Sequence, residues 1–141
     1  MAHGKRKFRA LPVLLTLLLV LAASVSGAAD GATAAWEFKA KEGRRQFAAG
    51  DYAAALRFFD EALALNPRAS SPKTGKGMVL ARQGNLQEAE RILKEALALN
   101  PDPCRTHYEL GLIYQQKSDH QKAVNEFKLG IERCRDRMAN P

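Results

Sequence analysis

The chain repeats itself. ALALNP stands at 62–67 and again at 96–101, 34 residues later. Gly50-Asp51-Tyr52 and Gly84-Asn85-Leu86 keep that interval, and Ser118-Asp119-His120 follows after one more. Gly43, Gly77 and Gly111 form another column, as do Ala55, Ala89 and Ala123, and Phe59, Leu93 and Phe127. A fixed period of this length is the mark of a stack of similar units, none of which buries its apolar face alone.

Each unit reads as two helices. In the second half of each unit, positions i, i+3, i+7, i+10 and i+11 fall on one helical face. They are Tyr52, Ala55, Phe59, Ala62 and Leu63, then Leu86, Ala89, Leu93, Ala96 and Leu97, then His120, Ala123, Phe127, Gly130 and Ile131. Gly-Asp or Gly-Asn between the halves supplies a left-handed turn residue and the next N-cap. Asn-Pro ends the second helix, because proline cannot continue the ladder and restricts the residue before it. The Gly and Ala columns predict close approach of the paired helices. Gly75 lies outside those columns, so alanine there is expected to be neutral or stabilising.

These residues resemble the tetratricopeptide repeat family. Its first-helix signature is fullest at Leu110-Gly111-Leu112-Ile113-Tyr114, its second-helix half at Gly50, Tyr52, Ala55, Phe59, Ala62 and Pro67. The resemblance implies an all-α fold, a right-handed α-solenoid of three antiparallel helix pairs at 36–69, 70–103 and 104–135, with a tail at 136–141. It departs at Lys39, Glu42, Lys73 and Lys76, where the family is apolar; lysine stems can lie along apolar surface with the charge outside. No capping helix is expected after the third pair, so its second helix caps the stack or meets a partner.

In the family the first helices line a concave surface. On that face the resemblance places Phe47, Met78, Tyr108 and Leu112 as an apolar floor and Arg44, Arg82 and Arg105 as basic points. Family members that clamp a C-terminal carboxylate carry Lys and Asn where this chain has Ala40 and Arg44, and an Arg where it has Glu109, so that clamp is largely missing. The expected ligand is a protein segment with apolar anchors and an acidic residue.

The leader bears on location. Lys5, Arg6, Lys7 and Arg9 precede an apolar run at 11–25 and then small residues. This is the layout of a secretory signal peptide, with Ser26-Gly27-Ala28 as the cleavage region. The alternative is an uncleaved membrane anchor over 1–29. The run is shorter than the ~20 residues that span a bilayer comfortably. Residues 30–35 read as a linker, and the remainder as exported, periplasmic or secreted.

Composition narrows the function. Net charge is +7, but removing the four leader cations leaves 18 basic against 15 acidic residues, too even for a nucleic-acid binder. Cys104 and Cys134 begin and end the third pair, whose antiparallel helices bring those ends together, so a disulfide is expected. The alternative, a metal held by Cys104, His107 and Cys134, lacks an evident fourth ligand. Ser71-Pro72-Lys73-Thr74-Gly75-Lys76-Gly77 fails as a phosphate loop: no glycine stands at 70, and Gly77 replaces the Ser/Thr after the lysine. His120 beside Asp119 has no nucleophile near it in sequence. No cofactor and no catalysis are expected. The reading is an exported adaptor that binds a protein segment, or alternatively a membrane-anchored structural subunit of an envelope assembly.

Overall fold

The computed structural model describes residue 31 and residues 35–99 and 103–139. The chain divides into two units, Met1–Ala34 and Ala35–Pro141. The leader, and with it the signal-peptide and anchor readings, lies outside the described residues. Everything below concerns the second unit.

Among the described residues there are six helices and no strand. They are α1 (35–48), α2 (Tyr52–Leu65), α3 (Ser70–Arg82), α4 (Leu86–Leu99), α5 (Pro103–Gln116) and α6 (His120–Ala139). Consecutive helices form the three pairs, and α3 also touches α5 across the stack. α6 runs through 136–139, so most of the expected tail is helix.

The turns follow the local chemistry. Gly50 and Gly84 have φ of +82° and +81°, and Ser118 takes the same left-handed region at +61°. Asp51 caps α2 by accepting from the Ala54 amide at 2.9 Å, and Asp119 accepts from the Lys122 amide at 3.2 Å. Asn66, ahead of Pro67, is extended, as the proline ring requires, and ends α2. Pro103 is the first residue of α5, where its missing N–H is not needed.

The core is a series of aromatic or leucine wedges into glycine sites. Phe59, Leu93 and Phe127 project from the second helices onto Gly43, Gly77 and Gly111 of the first. A Cβ at Gly77 would lie 2.7 Å from Leu93 Cγ, and one at Gly111 would lie 2.6 Å from Phe127 Cδ1. Close approach is therefore required, as the glycine column predicted. Around these wedges, Ala55, Phe59 and Val79 form one buried cluster; Ala81, Ala89, Leu93, Leu110, Ile113, Tyr114 and Ala123 form the other. Each fully buried large side chain contributes about 1.5–3 kcal/mol.

Gly75 corrects the sequence reading. A Cβ there would stand 2.7 Å from Phe59 Cε2, with Cζ and Cε1 closer still. The Phe59 ring reaches past its own pair and lies between Gly43 on α1 and Gly75 on α3. Alanine at 75 is thus a collision, not a helix-stabilising change. The central helix α3 is buried on several sides at once, which explains its run of Ser, Thr, Gly and Ala.

The lysines that departed from the apolar pattern have partners. Lys39 pairs with Glu61 at 2.6 Å, Lys76 with Asp60 at 2.7 Å and Lys73 with Glu95 at 3.0 Å. Each joins a first helix to a second helix, so the charge is matched at the packing boundary. Between α4 and α5, Glu90 accepts from Tyr114 Oη at 2.8 Å and from Lys94 and Lys117, both at 2.7 Å. Burial pushes the Glu90 carboxyl up, but the hydrogen bonds from Lys117, Lys94 and Tyr114 outweigh it and hold it at about 2.

Candidate functional site: an arginine-lined groove

A groove of about 1520 Å³ opens across the first helices. α1 contributes Arg44, Phe47 and Ala48; α3 contributes the stretch from Ser70 to Met78; α5 contributes Cys104, Arg105 and Tyr108. The floor is tied together by a buried hydrogen bond between the Thr74 and Thr106 hydroxyls, 2.9 Å apart, which links α3 to α5. Arg44 Nη1 donates to Ser71 Oγ at 3.0 Å, which links α1 to α3. Phe47 and Tyr52 rings lie 5.6 Å apart, and Tyr108 and Phe127 rings 5.8 Å apart, both tilted.

Five of the seven residues singled out from sequence come together here: Arg44, Phe47, Met78, Arg105 and Tyr108. Arg82 and Leu112 do not line it. Each lies about a turn further along its helix than the last lining residue, Met78 in α3 and Tyr108 in α5. Arg82 instead places its guanidinium 5.9 Å from the Phe47 ring centre, supporting the floor from the side. Ala40 is buried, away from the groove.

Sequence reasoning missed one whole wall. α6 adds Phe127, Ile131, Cys134 and Met138, with Arg135 and Arg137 beside them. Ile131 is 68% and Met138 75% exposed, large values for such side chains. The signal was present: 127, 131, 134 and 138 continue one helical face beyond residue 135.

The charge in this groove is one-sided. Among the described residues its lining holds four arginines and no carboxylate. Glu109, which is buried, accepts from Arg105 Nε at 3.2 Å. That bond takes the Nε–H of Arg105, whose side chain lines the groove.

Cys104 and Cys134 are joined in a disulfide, with Cα atoms 5.3 Å apart. With both sulfurs bonded, the Cys104, His107, Cys134 metal set has no thiolate. The His107 ring turns instead to Glu126, Nδ1 to Oε2 2.8 Å. Among the described residues no three His, Cys, Asp or Glu side chains are placed to hold a metal ion.

Stacked helix pairs around an open groove define a repeat scaffold for holding other molecules. The tetratricopeptide repeat profile matches residues 46–110, and a second profile of that description matches 105–137. The chain belongs to the tetratricopeptide repeat family, whose members are generally interaction modules and not catalysts. Among solved structures it is similar to the Arabidopsis OM64 TPR domain, with 16% identity, a TM-score of 0.66, and coverage of 72% of this chain and 84% of that one. It is similar to MamA at 23% identity and a TM-score of 0.64, covering 74% of this chain and 61% of that one. It is also similar to the second TPR of Spaghetti (RPAP3) bound to the HSP90 peptide SRMEEVD, with 16% identity, a TM-score of 0.62, and coverage of 68% and 89%. At these identities the likeness is one of fold. A comparison with curated proteins finds no significant match.

Proposed function

We propose that this chain is a non-catalytic adaptor that holds a segment of another protein in the α1–α3–α5–α6 groove. The observation that carries the reading is the pairing of an apolar floor with four arginines and, among the described residues, no carboxylate in the lining. A segment with apolar anchors and acidic side chains fits it: anchors bury against Phe47, Met78 and Tyr108, while carboxylates meet the arginine forks. One structural neighbour holds an acidic peptide, SRMEEVD. Here Arg44 and Glu109 stand at two positions of the tail clamp, so the arginine set belongs to this chain and internal acids serve as well as a terminal one. The basic and apolar leader supports export, which places the partner outside the cytoplasm. Among the described residues no helix is long and apolar enough to cross a membrane.

The test is selection from a random-peptide display library on the oxidised protein. Enrichment of sequences that combine apolar anchors with Asp or Glu is the expected result. Enrichment of basic sequences, or peptides whose binding survives Tyr108→Ala unchanged, overturns the reading.

A further inference from the structure

A covalent bond ties the wall that α6 adds to the groove to α5. After Gly130, α6 buries no side chain: 131–133 and 135–139 are exposed, and Cys134 is half-buried. A nine-residue helical stretch without tertiary burial is marginal in water. The disulfide ties that stretch to α5.

The chemistry around that bond favours its opening. Cys104 sits in the first turn of α5, whereas Cys134 lies near the far end of α6. A helix N-terminus stabilises a thiolate. Cys104 is therefore the better leaving group when a thiolate attacks the sulfur of Cys134.

We propose that Cys104–Cys134 is a reducible latch on the groove. Closed, it holds Ile131, Arg135 and Met138 against a bound segment; opened by a dithiol reductant, it releases them and the segment with them. A thiolate of the dithiol attacks Cys134 Sγ, the protein S–S bond breaks, and Cys104 leaves as a thiolate that takes up a proton. The second thiol then attacks the mixed disulfide and frees Cys134. The dithiol ends as a cyclic disulfide, and the protein gains two electrons and two protons. The reverse exchange closes the latch. This regulation rests on the groove reading above.

Limited trypsin cleavage of the full chain tests it, with dithiothreitol as the dithiol. Reduction should speed cleavage after Arg133, Arg135 and Arg137 tenfold or more, while cleavage after Arg57 and Arg91 stays within twofold. The double variant Cys104→Ser/Cys134→Ser should show the reduced pattern without reductant. Equal rates in both redox states overturn the latch, and so does uniform acceleration at every site, which marks a global staple. In a second arm, a fluorescein-labelled peptide from the display selection should lose at least tenfold in affinity on reduction; unchanged affinity overturns the latch. A selection that returns no peptide refutes the groove reading on which the latch rests, whereas unchanged cleavage refutes the latch with the groove intact.

Discussion

Gly75→Ala sets two ordinary effects against each other, and the structure decides between them. Replacing glycine by alanine inside a helix gains about 1 kcal/mol from propensity. Here the added methyl meets the Phe59 ring at 2.7 Å or less. The ring cannot retreat, because a Cβ at Gly43 on the opposite side would already lie 2.7 Å from its Cδ1 and Cε1. Phe59 is 1% exposed, so no solvent gap takes up the movement. Overpacking of this kind costs roughly 1–3 kcal/mol, and a ring trapped on both faces belongs at the upper end. The net expectation is a loss of about 1–2 kcal/mol after subtracting the propensity gain. Urea unfolding followed by helical circular dichroism reads it as a lower midpoint at unchanged slope. In the Phe59→Leu background the same substitution should cost at least ~1 kcal/mol less, since the double-mutant cycle removes the clash. A Gly75→Ala protein as stable as the parent refutes the wedge.

Three further outcomes follow from other parts of the molecule. The oxidised protein should titrate no free thiol before reduction, because Cys104 and Cys134 are bonded to each other; two thiols in the unreduced protein refute the bond. Glu90 has a folded value near 2, below its ordinary 4.5, so its charge stabilises the fold above pH 4.5 and that contribution is lost as pH falls toward 2. Glu90→Gln should flatten the acid end of the stability profile, and an unchanged profile counts against the network. In the groove, Arg135→Ala should weaken peptide binding at low salt with an effect that fades at high salt, while Tyr108→Ala weakens it at both. Arg57→Ala, outside the groove lining, should leave binding unchanged. Arg135 is a cleaner probe than Arg105, whose removal also strips the buried Glu109 of its partner.

The legible part of this molecule is the part that repeats. Period, turns, caps and the paired glycines are local or nearly local, so Gly50, Asp51 and the Gly43–Phe59 contact could be placed from spacing. Gly75 could not: its partner is Phe59 of the preceding pair, and a column register describes one pair at a time. Arg82 and Leu112 were misplaced because the register gives the face of a helix but not how far along it the groove extends. Arg137 and Met138 were passed over because the repeat frame ended at 135, before α6 did. Arg105 was expected as a basic point of the groove, and its bond to the buried Glu109 was not visible in the chain.

The Phe59 wedge also fixes the order of the units. Lys41, Gly75 and Glu109 stand at equivalent positions one period apart, and the second of them offers Phe59 an empty site. An array made by duplicating the first unit would bring Phe59 against Lys41 of the copy, and moving the first unit ahead of the third would bring it against Glu109. Leu93, the shorter side chain of that column, is what the second unit presents to the Glu109 position. The three pairs share a period, yet they are not interchangeable parts: the second is cut to fit the phenylalanine of the first.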